Sequence, residues 1–299
     1  MVYTVTFNPA IDYVVHTGEM KLGKTNRSER EEIYFGGKGI NVSIVLREIG
    51  IGSKALGFIA GFTGEAIEKG LVDMGIDTDF VRLNQGNSRI NVKIKSMEET
   101  EINGQGPDID SEAITALFQK LDNIADGDTL ILAGSIPSSL PADIYQRILE
   151  RLSGKKIKAV VDATNELLLN VLQYKPFLVK PNNHELGEMF GVELKNDEDI
   201  EKYARKLQEM GAVNVLISMA GDGAMLIDEY GKLHRCGVCK GTVKNSVGAG
   251  DSMVAGFTAG SLQGDYEYAL KLGTAAGGAT AFSDGLATKE KIEELLKTL

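Results

Sequence analysis

Near its C-terminus the chain reads Ser246-Val247-Gly248-Ala249-Gly250-Asp251-Ser252-Met253, a glycine-rich turn that runs into a small-residue helix. Glycine lacks a Cβ, so the backbone N–H groups of Gly248, Ala249 and Gly250 can converge on an anion, and the helix N-terminus adds the positive end of its dipole. That dipole favours a negative charge by about 0.3–1 kcal/mol when exposed. The placement predicts an ionised Asp251 beside a phosphate-binding turn. A tight turn with an aspartate in the first helical turn would look the same from this segment alone.

Two further segments carry candidate chemistry. Gly36-Gly37-Lys38-Gly39-Ile40-Asn41 follows an alternating strand and opens a helix. Lys38 and Asn41 are three residues apart and share a helix face, and a cation plus an amide on one face suits a phosphorylated polyol. A glycine turn with a solvated lysine is the competing reading. Lys180-Pro181-Asn182-Asn183-His184-Glu185 follows the apolar strand at 177–179. At a helix start the oxygens of Asn182 and Glu185 can face one spot, where hard ligands suit a hydrated Mg²⁺ held with nucleotide phosphates. The same pair makes a capping box, and the two roles are compatible. No G-x-x-x-x-G-K-[ST] and no G-x-G-x-x-G occurs, so any nucleotide chemistry must use another phosphate cradle.

His16, His184 and His234 have no metal-ligand spacing and read as structural or surface residues. Cys236 and Cys239 form a C-x-x-C with strand-like flanks, and only His234 is near as a further ligand. A redox motif would open a helix and a zinc site would need four ligands, so the pair reads as two reduced thiols.

The elements that must position these residues alternate. Short apolar runs at 130–132, 160–161 and 215–217 suit a parallel sheet covered on both faces. Helical stretches at 111–125, 141–153, 164–174 and 197–210 lie among them. This βα rhythm predicts one doubly wound α/β domain spanning 1–299. Residues 10–35 and 88–103 break the rhythm with polar/apolar alternation and no helix of their own, which predicts a small antiparallel β lid inserted into it. The net charge of −10 argues against nucleic acid and anionic membrane surfaces as partners, and requires local cations and N–H groups wherever an anion binds. No apolar run approaches the roughly 20 residues of a bilayer span. With no signal-peptide pattern and reduced cysteines, a cytoplasmic protein is expected.

Taken together, GGKGINVS at 36–43, KPNNHEL at 180–186 and VGAGDSMVAGF at 247–257 resemble the hallmark segments of the ribokinase-like (PfkB) carbohydrate kinases. The resemblance runs the length of the chain, from Asn8-Pro9-Ala10-Ile11-Asp12 to the final helices. It implies a mostly parallel central sheet with helices on both faces plus the β lid, and ATP as co-substrate with Mg²⁺. It also implies a nucleotide site at Lys180, Asn182, Ser218, Gly221, Gly223, Ser246, Val247, Gly248 and Gly250. The sugar would lie under the lid among Asp12, Gly36, Gly37, Lys38, Asn41, Arg89, Asn91 and Asn103. Asp251 would take the acceptor hydroxyl's proton, Asp12 would accept sugar hydroxyls, Lys38 and Arg89 would face the substrate's phosphate, and Lys93 and Arg27 could help. Thr6–Asp12 is similar to members acting on phosphosugars, and Ser88–Lys93 with Thr100–Asn103 is similar to those that phosphorylate fructose 1-phosphate at its 6-hydroxyl. Tagatose 6-phosphate is the nearest competing acceptor, and a nucleoside would leave the Lys38 and Arg89 pairing unexplained. From another class, a catalytically silent sugar-phosphate sensor would use the same scaffold. Exposed lid strands favour a homodimer paired through the lid. Two departures stand out: Ala220 replaces a glycine in the nucleotide-side loop, and Asn245-Ser246 replaces the usual hydroxyl pair.

Overall fold

The computed structural model describes all 299 residues. The chain opens with β1 (Val2–Thr6), crosses into β2 (Ala10–His16) and β3 (Arg30–Gly36), and returns through α1 (Lys38–Ile49) to β4 (Ser53–Ala60). Then come α2 (Gly61–Asp73), the short β5 (Asp77–Thr78) and β6 (Val81–Leu83), and the second excursion, β7 (Arg89–Lys95) and β8 (Thr100–Asn103). A βα series follows: α3 (Ser111–Leu121), β9 (Thr129–Ala133), α4 (Ile144–Leu152), β10 (Lys158–Asp162), α5 (Asn165–Val171) and β11 (Leu178–Val179). Next are α6 (Asn183–Phe190), α7 (Asp197–Glu209) and β12 (Asn214–Ser218), the hairpin β13 (Ala224–Ile227) and β14 (Leu233–Cys236), and a closing trio, α8 (Ala249–Ser261), α9 (Tyr266–Ala281) and α10 (Lys289–Leu296).

The main sheet has the order β14-β13-β12-β11-β10-β9-β1-β4-β5, with β6 also on β4. It is parallel except for the β12–β13 and β13–β14 pairs. Every residue of β9 is buried, as a parallel strand covered on both faces must be. One face packs under α3 to α7, through residues such as Leu117, Ile148 and Leu207. The other packs under α1, α8, α9 and α10, through Val45, Phe257 and Leu295. The helices expected at 111–125, 141–153, 164–174 and 197–210 are all present, with α5 finishing in a 3₁₀ turn at 172–174.

The expected second sheet is present as β3-β2-β7-β8. Its outer pairs are antiparallel, and its central β2–β7 pair is parallel. The reason is topological: β2 and β7 each follow soon after a strand of the parallel main sheet, so both leave its C-terminal edge in the same direction. Residues 17–29 between β2 and β3 are loop rather than strand. The lid also inverts the usual alternation. Asp12, Asn91 and Asn103 face inward, while Ile33, Ile90 and Ile102 on the outer side are 57%, 40% and 60% exposed. No helix of the chain is long and apolar enough to cross a membrane.

Candidate active site

A groove of about 740 Å³ runs along the C-terminal edge of the main sheet and under the lid. In an open α/β sheet this edge is where ligands bind, because the strands end there and helix N-termini begin. Two such termini meet across it. Gly37 caps α1 at φ 121°, and a Cβ there would lie 2.5 Å from Thr6 Cγ2, so only glycine allows the close turn. Gly248 caps α8 at φ 80°, where a Cβ would lie 2.7 Å from Leu286 Cδ2. The Ala249 N–H is engaged by Ser246 O at 3.2 Å, which removes it from the expected ring of three anion donors. The N–H groups of Gly248 and Gly250 have no backbone acceptor and remain available to an anion.

Asp251, in the first turn of α8, is 5% exposed, and its Oδ2 accepts from Asn41 Nδ2 at 2.7 Å. Asn41 and Lys38 line the same groove, and one N–H of the Asn41 amide is engaged by Asp251. The expected charge on Asp251 is held less easily than its place at a helix start implies. Burial pushes the Asp251 carboxyl up to about 6, and Asp162's charge adds to the rise. The Asn41 hydrogen bond and the Lys38 and Lys180 ammonium groups oppose it without cancelling it. At pH 7 the group is still about nine-tenths ionised.

Asp162, the last residue of β10, was not singled out by motif. It is 4% exposed and lies 3.4 Å from Lys38 Nζ through Oδ2 and 3.4 Å from Lys180 Nζ through Oδ1. Burial opposes its charge, but Lys180 and Lys38 outweigh burial and hold its carboxyl below the usual range. Burial likewise pulls Lys38 down, and Asp162 and Asp251 more than restore it. The result is an alternating row of two lysines and two carboxylates along the groove floor. Its one sequence signal is a charged residue closing an apolar strand, Val160-Val161-Asp162. Lys180 sits beneath the anion turn, its ammonium 3.4 Å from where a Cβ on Gly250 would be.

The remaining sequence candidates fall as follows. Asp12, Gly37, Arg89, Asn91 and Asn103 line the groove under the lid. Arg89 donates through Nε to Asn8 O at 3.1 Å, which holds the guanidinium in place, and burial lowers its affinity for the proton while Asp12 partly restores it. Gly36 is not on the groove wall; its lack of a side chain makes room for Asp12, whose Oδ2 would lie 3.0 Å from a Cβ there. Arg27 sits in the exposed 17–29 loop, away from the groove. Asn182 and Glu185 form the full capping box of α6, with both hydrogen bonds at 2.8 Å, and both still line the groove. His184 lines it too, although it has no metal-ligand spacing to mark it.

At the other end Ser218, Gly221, Gly223, Ser246 and Val247 line the groove. Ala220 sits at φ 45°, so the loop keeps a left-handed backbone that glycine would adopt without strain. Val238, Val243 and Phe282 add an apolar wall against the small-residue helix α9. These were missed because nothing in their spacing marks them; the hint was two valines in a polar loop. Cys236 and Cys239 are free and buried, and burial, with Cys236 adding, pushes the Cys239 thiol up to about 11, far from a reactive thiolate.

Residues 5–292 match the model of the pfkB family carbohydrate kinases. The chain is 49% identical to the 1-phosphofructokinase of Bacillus subtilis, covering 99% of this chain and 97% of that one. It is 38% identical to a D-tagatose-1-phosphate kinase of Bacillus licheniformis, over 98% and 97% of the two chains. A crystal structure of a candidate phosphofructokinase from Staphylococcus aureus superposes with a TM-score of 0.91 at 43% identity, covering 99% of this chain and 97% of that one.

Proposed function

The chain belongs to the pfkB family of carbohydrate kinases, and from that premise we propose that it transfers the γ-phosphoryl group of ATP to the 6-hydroxyl of D-fructose 1-phosphate, giving fructose 1,6-bisphosphate. What carries this reading is the buried Asp251 beside the two free N–H groups of the 248–250 turn, on one groove with Lys38 and Arg89.

In this mechanism the acceptor's O6 attacks the γ-phosphorus, the bond to the β,γ-bridging oxygen breaks, and ADP leaves. Asp251 takes the hydroxyl proton, a contribution of about 10²–10⁴-fold for base catalysis of this kind. Proton loss can be late, because phosphoryl transfer is largely loose. Gly248 and Gly250 N–H, with Lys38 and Lys180, face the charge on the transferred group, where preorganised donors act without reorganising. Arg89 takes the standing phosphate, and Asp12 accepts sugar hydroxyls. The lid excludes water, which would otherwise compete as acceptor.

Mg²⁺ fits the donor set: the capping box uses Glu185 Oε2 and leaves its other carboxylate oxygen for a hydrated cation, with Asn182 beside it. When bound, the ion would neutralise charge on the nucleotide phosphates. The apolar wall of Val238, Val243 and Phe282 suits an adenine ring. The outward Ile33, Ile90 and Ile102 favour a homodimer that buries the lid's outer face.

A second acceptor reading remains specific. Tagatose is the C4 epimer of fructose, and the Bacillus licheniformis relative's name places the standing phosphate on C1, as in fructose 1-phosphate. That favours a ketohexose 1-phosphate over tagatose 6-phosphate. Coupled ADP-release assays with fructose 1-phosphate, tagatose 1-phosphate and tagatose 6-phosphate decide among them. Fructose 1-phosphate should give the highest kcat/KM, and no ADP release with any sugar would favour the silent sensor. Asp251→Ala should abolish turnover while ATP still binds; near-normal kcat in that variant removes Asp251 as the base.

A further inference from the structure

The end of the groove away from the lid has two walls that come from different turns of the chain. One is the loop after β12, where Ala220, Gly221 and Gly223 line the groove and Asp222 does not. The other is the stretch that leaves β14, where Val238 and Cys239 line it. The walls meet at Gly223. Its φ is 86°, and a Cβ there would collide with Cys236 O, so only glycine lets the loop lie this close to the end of β14.

That approach brings two carbonyl oxygens, those of Asp222 and Cys236, within reach of one side chain. Both are acceptors, so neither can satisfy the other. Arg235 serves both: Nη1 donates to Asp222 O at 2.7 Å and to Cys236 O at 2.9 Å, with Ala224 O further off at 3.4 Å. Its Nε donates to Asp197 Oδ2 at 2.8 Å, in the first turn of α7, which aims the guanidinium. The two side chains are 34% and 55% exposed, so this ion pair adds little stability by itself. The loop's own bonds, Asp222 N–H to Met219 O and Met219 N–H to Gly223 O, join it only to itself.

Resting on the reading that this end of the groove takes ATP, we propose that Arg235 is a positioning residue for the nucleotide: by bridging Asp222 O and Cys236 O from behind, it fixes the spacing of the two walls between which the nucleotide lies. Arg235 is off the groove wall and acts through the backbone it holds. Arginine suits this task because its planar fork has fixed donor directions, whereas a lysine ammonium is a point charge on a flexible stem. Walls already set at the right spacing spare the nucleotide the cost of ordering them. The phosphosugar's contacts lie under the lid, so its binding does not depend on this bridge.

The test is steady-state kinetics with each substrate varied in turn. Arg235→Met keeps the aliphatic stem and removes both donors. It should raise KM for ATP about tenfold, the worth of one charge-assisted hydrogen bond, while KM for fructose 1-phosphate and kcat stay within about twofold. A merely structural role would lower kcat or raise both KM values together, and either result overturns the assignment, as does an unchanged KM for ATP. Arg235→Lys keeps the charge without the fork and should raise KM for ATP about threefold. An unmodified value in that variant would mean that charge alone suffices, and overturns the bridge. Should Arg235→Met not fold, Arg235→Lys carries the comparison. If the unmodified protein turns over no sugar, the acceptor reading falls, and calorimetry with ATP and Mg²⁺ judges Arg235 separately. Kd should then rise about tenfold in Arg235→Met. An equal Kd overturns the inference alone, and no ATP binding by the unmodified protein removes the nucleotide reading and this inference with it.

Discussion

Replacing Asp251 with asparagine should inactivate the protein and, at neutral pH, make it harder to unfold. Burial lifts the carboxyl from its ordinary 3.8 to about 6, so the folded state holds the charge reluctantly. Above pH 6 both folded and unfolded chains carry that charge, and the fold bears the full penalty, about 3 kcal/mol at 1.36 kcal/mol per pKa unit. Below about pH 3 both are mostly neutral and the penalty vanishes. Asparagine is close in shape and its Oδ1 can still accept from Asn41, but its amide would bring two donors toward Lys38 and Lys180, which offsets part of the gain. The net stabilisation expected at pH 7.5 is about 1–3 kcal/mol, shrinking toward zero or reversing by pH 4.5. Urea unfolding of both proteins at the two pH values reads it as a shift in midpoint at unchanged slope. A variant less stable than the unmodified protein at pH 7.5, or a difference that does not change with pH, would show that Asp251 is not held against its charge and refute the burial argument.

The same carboxyl sets an acid limb in kcat/KM near pH 6, where an ordinary aspartate would give one near 4. Asp162→Asn removes a charge that raises Asp251 and frees both lysines toward it, so whatever activity remains should show that limb at lower pH; a limb that stays or moves up contradicts the charge row. Lys38→Met should lower kcat more than it raises KM for either substrate, because Lys38 faces the transferred group; a rise in KM for the phosphosugar with kcat kept would place it at the sugar's standing phosphate instead. Ala220→Gly relieves a left-handed backbone worth about 1–2 kcal/mol against glycine's entropic penalty of about 0.5–1 kcal/mol. It should therefore stabilise by about 0.5–1 kcal/mol in urea unfolding, and a loss of stability would mean the loop relaxes some other way.

What was legible in the chain alone was whatever neighbours in sequence decide. The βα rhythm follows from apolar runs and helix periodicity. The glycine turns at 36–37 and 248–250 follow from backbone freedom, and the Asn182 and Glu185 box from a three-residue spacing that any helix start imposes. The lid's strands were visible in their alternation, but not the parallel pairing of β2 with β7, which depends on where the main sheet releases them.

The long-range pairings came only with tertiary structure. Asn41 and Asp251 are 210 residues apart and Lys38 and Asp162 are 124 apart, so no local pattern could report that the first amide is spent on the carboxylate or that a buried aspartate divides two lysines. The protonation of Asp251 shows the difference most sharply. Its position at a helix start was readable and pointed to an easily held charge, whereas its burial among other charged groups was not readable and works the other way. Sequence specifies which chemical groups exist and their local geometry; the free energy of a charge depends on the solvent excluded and the charges gathered around it, and those are assigned by packing.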